Sequence, residues 1–216
     1  MNGSFEIREY TEGGRSPFAE WFDDLDAVTA ARVDRYVRRL EAGNFGAAKP
    51  LCDGVFELRW ILGRATACIT DTKAGPSSSC LAAAANAGRT PTSPPPSNAG
   101  NDTNRRKHDM ALTRDYKETV LARIRSDRKF ARLFYAGAIE MLLEGETAEA
   151  LSRLRDLVHA ESTFRELARQ TGLGEKTLHR MLKRDGNPTA RNLGAILRSI
   201  AEDLGIKPRV EVAPCR

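Results

Sequence analysis

The hydrophobic pattern of the chain changes period along its length. Phe5-Glu-Ile-Arg-Glu-Tyr10 alternates apolar and polar residues, the period of a half-buried strand, and Gly13-Gly14 ends it. Ser16-Pro17 then supplies a helix cap and a proline for the first helical position. Phe18, Trp21, Phe22 and Leu25 follow at i, i+3, i+4, i+7, one face of a short helix. A second helix is predicted from about Ala27 to Ala42, with Val28, Ala31, Val33, Tyr36, Val37 and Leu40 as its apolar positions and Gly43-Asn44 as its end. Val55-Phe-Glu-Leu-Arg-Trp60, after the Asp53-Gly54 turn, reads as another strand. The predicted order is strand, helix, helix, strand.

From Met110 onward the period is helical. Thr113 is placed to cap a helix running to about Arg125, and Asp127 the next, where Phe130, Leu133, Phe134, Ala138, Met141 and Leu142 recur to Gly145. Phe130, Phe134 and Tyr135 read as core. Thr147 is placed to cap a third helix, with Ala150, Leu151, Leu154 and Val158 on one side. Thr163 is placed to cap a fourth, containing Phe164, Leu167 and Ala168. Thr171-Gly-Leu173 makes a tight turn, and Gly174 opens a fifth helix over Glu175–Lys183. A helix-turn-helix needs a small residue where the second helix crosses the first, and Ala168 fits. It needs a residue tolerant of positive φ at the turn, and Gly172 fits. Leu167, Leu173, Leu178 and Met181 are the apolar residues that set the crossing. Asp185-Gly-Asn-Pro188 is a turn, and Thr189 caps a last helix carrying Leu193, Ile196, Leu197, Ile200 and Leu204. The first strand-like run in this part is Ile206–Val212, read as a short edge strand.

Composition separates these two patterns. Nine of the fourteen aromatics lie in residues 1–60, five lie from Tyr116 onward, and none lies between Trp60 and Tyr116. That interval holds Ser77-Ser-Ser, Ala82-Ala-Ala-Ala and Thr90-Pro-Thr-Ser-Pro-Pro-Pro-Ser97. Such a segment buries too little apolar surface to offset an ordering entropy on the order of 1–2 kcal/mol per residue. Residues 72–108 are therefore expected to be disordered or irregular, separating two units. The expected domains are a fragment over 1–60, a linker over 61–109 and a helical domain over 110–216. Charge follows the same division. Residues 1–60 carry 8 basic and 11 acidic residues, 61–109 carry 6 and 3, and 110–216 carry 20 and 15, so the net +5 of the chain equals that of its last part.

Several classes are set aside. No apolar run approaches the roughly 18–20 residues of a spanning helix, and the N-terminus lacks the basic-then-apolar pattern of a secretory signal. Cys52, Cys68, Cys80 and Cys215 form no Cys-x-x-Cys pair, which argues against a zinc ribbon and a thioredoxin-like site. A reduced cytoplasmic compartment is expected. No cofactor, metal or small-molecule substrate is expected, because His108 and His159 lack partners at metal spacing and no nucleophile–base pair or glycine-rich phosphate loop stands out.

Two resemblances add to this reading. Phe5-Glu-Ile, Ser16-Pro-Phe-Ala-Glu-Trp21, the helix around Arg32–Leu40, and Lys49-Pro-Leu with Asp53-Gly-Val-Phe-Glu-Leu-Arg59 resemble the start of the RelE/ParE-like killer proteins of bacterial toxin–antitoxin modules, in particular the HigB-like, phage-derived branch. That family continues with further strands and a basic segment that complete an mRNA-cleaving site. Here the resemblance stops near residue 60, where Ala, Pro, Ser, Thr and Arg usage matches an out-of-frame reading of GC-rich DNA. A two-stranded remnant leaves sheet edges and an apolar face uncovered, so the N-terminal part is expected to be unstable alone and catalytically inactive. Arg59 is its single family-like candidate for contacting RNA phosphate, with a solvated strand arginine as the alternative. Leu167-Ala-Arg-Gln-Thr-Gly-Leu, Leu178-His-Arg-Met-Leu, Gly186-Asn-Pro-Thr and the Asn192–Gly205 helix are similar to Cro/repressor-type antidote proteins, the HigA-like partners of such toxins. The fold class expected is mostly α: a C-terminal all-α helix-turn-helix domain, preceded by an incomplete α+β RelE-like fragment and a disordered linker.

The second helix of the motif presents Glu175, Lys176, His179, Arg180 and Lys183 opposite Leu178 and Met181. That face suits a DNA major groove, with the helix N-terminus near backbone phosphate. Arg180 offers a fork to guanine O6/N7, worth about 1–3 kcal/mol of discrimination. Lys176 and Lys183 suit phosphate and salt dependence. Thr177 and Arg191 add candidate backbone contacts. His179 is read as facing the groove, as a phosphate or base donor or as a neutral surface residue. The resemblance implies an antitoxin-type regulator that binds operator DNA as a homodimer, represses its own operon and neutralises a cognate toxin. The alternative is a conditionally active mRNA endoribonuclease held in check by its fused antidote domain.

Overall fold

The computed structural model describes residues 6–11, 13–44, 49–52, 55–60, 66–71, 78–84 and 113–209. Among the described residues the chain is mostly helical, with eight helices and one six-stranded sheet. It divides into two compact units, Met1–Thr119 and Val120–Arg216.

The N-terminal unit holds β1 (Glu6–Tyr10), α1 (Pro17–Asp24), α2 (Ala27–Glu41), β2 (Lys49–Cys52), β3 (Val55–Trp60), β4 (Thr66–Asp71), β5 (Ser78–Ala84) and β6 (Thr113–Asp115). The sheet order is β2-β3-β4-β5-β1-β6. β1 lies parallel to β5, and the other neighbours are antiparallel. Gly13 and Gly14 turn the chain with φ of 58° and 81°. Ser16 then does two things with one hydroxyl: it accepts from the Ala19 N–H at 3.0 Å, capping α1, and donates to the Glu9 carboxylate at 2.7 Å. Asp26 caps α2 through the Val28 and Thr29 N–H groups. Ile7, Phe18, Phe22, Val33, Val37 and Leu40 are buried. The α2 stripe differs from expectation: Ala27, Ala30, Val33, Asp34, Val37 and Leu40 face inward, while Val28 and Tyr36 are each 40% exposed. The helix is turned so that Ala27 and Ala30, which allow close approach, meet the core, while Ala31 is half-buried.

Two expectations are corrected here. The linker over 61–109 contains β4 and β5, which pair with each other and with β3 and β1. Strand pairing is a backbone interaction, so a run of small residues such as Ser78-Ser-Cys-Leu-Ala-Ala-Ala84 joins a ladder without the aromatic or β-branched signal that marks a strand in sequence. The N-terminal part is accordingly not a two-stranded remnant. Second, the boundary falls after Thr119 rather than at residue 110. Thr113, expected as a helix cap, lies in β6, and the helix starts at Tyr116 with Asp115 accepting from the Lys117 N–H at 2.9 Å. Residues 61–65, 72–77 and 85–109 of the expected linker lie outside the described residues.

The boundary falls within α3 (Tyr116–Ser126), and the second unit continues with α4 (Arg128–Leu143), α5 (Thr147–Glu161), α6 (Phe164–Thr171), α7 (Glu175–Met181) and α8 (Ala190–Asp203). Asp127 caps α4 as the sequence suggests. Thr147 is not a cap: Glu146 holds that position and makes no side-chain cap bond. Phe130, Phe134, Tyr135, Ala138 and Met141 of α4 are buried, as are Leu151, Leu154, Leu157 and Val158 of α5. Arg153 is buried among them at 1% exposure, its guanidinium 4.5 Å from the Phe134 ring centre, a cation–π contact. The Tyr135 hydroxyl donates to the Leu197 carbonyl at 3.0 Å, tying α4 to the last helix. Ile206–Arg209 is not a strand, and residues 210–212 of the expected edge strand lie outside the described residues.

Candidate nucleic-acid interface

The α6–turn–α7 segment is built from local signals. The Thr163 hydroxyl accepts from the Glu166 N–H at 3.2 Å and starts α6. Gly172 ends it in the left-handed region, φ 71°, a conformation that a side chain makes costly. The Thr171 hydroxyl donates to the Leu167 carbonyl at 2.6 Å and accepts from the Leu173 N–H at 3.4 Å, which closes the turn. Gly174 occupies the α7 cap position without a side-chain bond. Phe164, Leu167, Leu178, Leu182, Ile196, Ile200, Ala201 and Leu204 form the buried set of α6, α7 and α8.

Helical phase puts the remaining positions of α7 outward. Glu175, Lys176 and Arg180 are exposed, Thr177 is half-buried, and Lys183, two residues beyond the helix end, is exposed. Arg191 is exposed in the first turn of α8, which Thr189 caps through the Asn192 N–H at 3.4 Å. Lys176 and Arg180, at i and i+4, thus share the side of α7 away from Leu178, and Lys183 is exposed just past the helix end. Residues 163–209 carry ten basic and five acidic residues, a surplus equal to that of the whole chain.

His179 is the exception. Its ring stacks on Phe164, with ring centres 3.7 Å apart and planes 16° apart, and its side chain is 39% exposed. It is turned toward the start of α6 rather than held out with Arg180. The physical reason is its place at the margin of the buried side, next to Leu178, where a flat aromatic surface is within reach. His159 meets the other ring of the pair, 5.2 Å from Phe164 at 63°. The Arg155 guanidinium lies 5.5 Å from the Phe164 centre and donates to the His179 carbonyl at 3.3 Å.

Sequence reasoning missed the residues that hold α7 in place. Arg155 grips the His179 backbone from 24 residues away. Arg184 pairs with Glu149 at 3.1 Å, so this cation supports the fold. Asn192 approaches the Met181 sulfur at 3.8 Å. None has a local pattern to betray it, since each contact joins separate elements. Gly186 was legible only as a turn residue. A Cβ there would stand 2.1 Å from the Met181 carbonyl oxygen and 2.8 Å from that of Lys183, so the chain leaves α7 through a gap that admits no side chain.

Arg59 lies on β3 in the other unit, and His108 lies outside the described residues. No group of three or more His, Cys, Asp or Glu able to hold a metal occurs among the described residues, and no helix among them is long and apolar enough to cross a membrane. No family model matches the chain, and neither a curated protein nor a solved structure matches it.

Proposed function

We propose that α6, α7 and α8 form a DNA-binding helix-turn-helix and that the chain is an antitoxin-type regulator of an addiction module. The observation that carries this reading is the outward pair Lys176 and Arg180 on a helix locked by fully buried Leu178, with Lys183 exposed just past its end beside fully buried Leu182. Arg180 offers two parallel donors to a guanine edge. Lys176, Lys183 and Arg191 meet phosphates, with Thr177 as a neutral backbone contact. Glu175 disfavours phosphate at its end of the helix and favours a cytosine amino group. One such motif reads a half-site, so the operator-bound form is a homodimer. The regulator represses its own operon and neutralises a cognate toxin, working in the bacterial cytoplasm.

The test is a gel-shift titration on DNA from upstream of the gene. Lys176→Ala lowers affinity on all sequences and reduces the slope of log K against log salt by about 1. Unchanged affinity in both Lys176→Ala and Arg180→Ala overturns the assignment of this face.

A second reading has gained an observation. The N-terminal unit includes β4 and β5 in addition to the strands expected from sequence, which favours a conditionally active mRNA endoribonuclease held in check by its fused regulator. RNA cleavage by the purified full chain, abolished by Arg59→Ala, supports that reading. Absence of cleavage and of growth arrest on induction removes it.

A further inference from the structure

Residues 113–119 belong in sequence to the part that starts at Met110, yet they complete the core of the N-terminal unit. They do so in three ways. β6 adds an antiparallel strand to the edge of β1, with Arg8 opposite Asp115, Glu9 opposite Arg114 and Tyr10 opposite Thr113. Tyr116, 4% exposed, presents its ring to Phe18 and Phe22 with centres 5.7 Å and 6.3 Å apart, both edge-on. Its hydroxyl donates to the buried Asp34 carboxylate at 3.0 Å across 82 residues of sequence. Arg114 donates to the Thr119 hydroxyl at 2.7 Å and stands 3.8 Å from the buried Glu9 carboxylate. Strand, aromatic plug and polar bracket lie within seven consecutive residues.

We propose that Thr113–Thr119 is a clasp that holds the toxin-like unit without need of the covalent connection. A separate chain beginning near Met110 then engages that unit in trans, through strand addition at β1 and insertion of Tyr116 between α1 and α2. This mode joins backbone pairing, which is tolerant of sequence, with one deeply seated side chain that sets the register. It rests on reading the C-terminal part as the regulator of a toxin-like partner, and it names the contact by which the two are held.

The test uses the folded full chain with a protease recognition sequence inserted between Thr103 and Asn104 and an affinity tag at the N-terminus. After complete cutting, the C-terminal fragment stays on the tagged fragment through washing and dilution. In Tyr116→Ala it is released. Tyr116→Phe keeps the ring and loses only the hydroxyl bond to Asp34, so it stands in where the alanine variant does not fold. It dissociates on the order of tenfold faster than wild type. Release of the wild-type fragment on cutting, or wild-type dissociation of Tyr116→Phe, overturns the clasp. Operator binding by the uncut chain is measured alongside; its absence sinks the DNA-binding reading and leaves the clasp result standing.

Discussion

His179 and Arg180 are neighbours on one helix, and their side chains are set differently: His179 stacks on Phe164 and Arg180 is exposed. Removing the His179 ring takes away a stacked aromatic contact with Phe164 at 3.7 Å. Such pairs are worth about 0.5–1.5 kcal/mol beyond the apolar area they bury. With the larger part of the side chain covered (39% exposed), the area adds further at roughly 25 cal/mol per Å². His179→Ala is therefore expected to destabilise the C-terminal unit by about 1–2 kcal/mol, a fall in Tm of roughly 5–15 °C for a unit of this size. Arg180 is exposed, so Arg180→Ala leaves stability within about 0.5 kcal/mol. It removes a candidate base contact of about 1–3 kcal/mol, a loss of operator affinity on the order of 5- to 150-fold. Calorimetry or thermal circular dichroism reads the first quantity and gel shift the second, on the same two variants, at a temperature where both are folded. A His179→Ala protein with wild-type Tm and an affinity loss matching Arg180→Ala would refute the reasoning, because the imidazole would then be serving the groove and not the Phe164 stack.

Other predictions follow from single residues. Burial holds the Glu9 carboxyl above its ordinary value near 4.5, against the opposing pull of the Thr119 and Ser16 hydrogen bonds and of Arg114. A carboxyl whose folded pKa is raised contributes stability below its unfolded pKa and loses it as pH rises through the folded one. The wild-type N-terminal transition should thus weaken over that window while Glu9→Gln, followed by urea midpoints at several pH values, should not show this loss. Gly186→Ala forces a Cβ against backbone at 2.1 Å, so it should cost about 1–3 kcal/mol and weaken operator binding by shifting the end of α7. Equal stability to wild type would show that the turn relaxes freely. Ser16→Ala removes both the α1 cap and the donor to Glu9 and should lower the N-terminal transition by about 1–3 kcal/mol, measured by urea unfolding.

Local signals mostly agree with the structure, Thr147 being an exception because Glu146 takes its cap position. Ser16-Pro17, Asp127, Thr163 and Thr189 act at helix starts, and Gly172 takes the left-handed turn, because caps and turns depend on residues within three or four positions of each other. Agreement fails where partners are distant. β5 looks like low-complexity chain because its pairing comes from β1 and β4. Thr113 looks like a cap because the strand it joins lies more than a hundred residues earlier. α2 shows an apolar pattern that admits more than one phase, and only packing chose the alanine-rich side.

The helices of the second unit, the Gly172 turn between α6 and α7 and the basic surplus of residues 163–209 were all legible in the amino-acid sequence. Each follows from periodicity, capping chemistry or charge, all short-range properties. Tertiary structure decided the rest. It assigned residues 113–119 to the first unit, because an edge strand and a buried tyrosine go wherever a ladder and an aromatic pocket stand open. It removed His179 from the outward set, because stacking on Phe164 covers apolar ring surface that solvent would otherwise meet. Both outcomes depend on surfaces that form only when distant segments meet, and no window of neighbouring residues contains them.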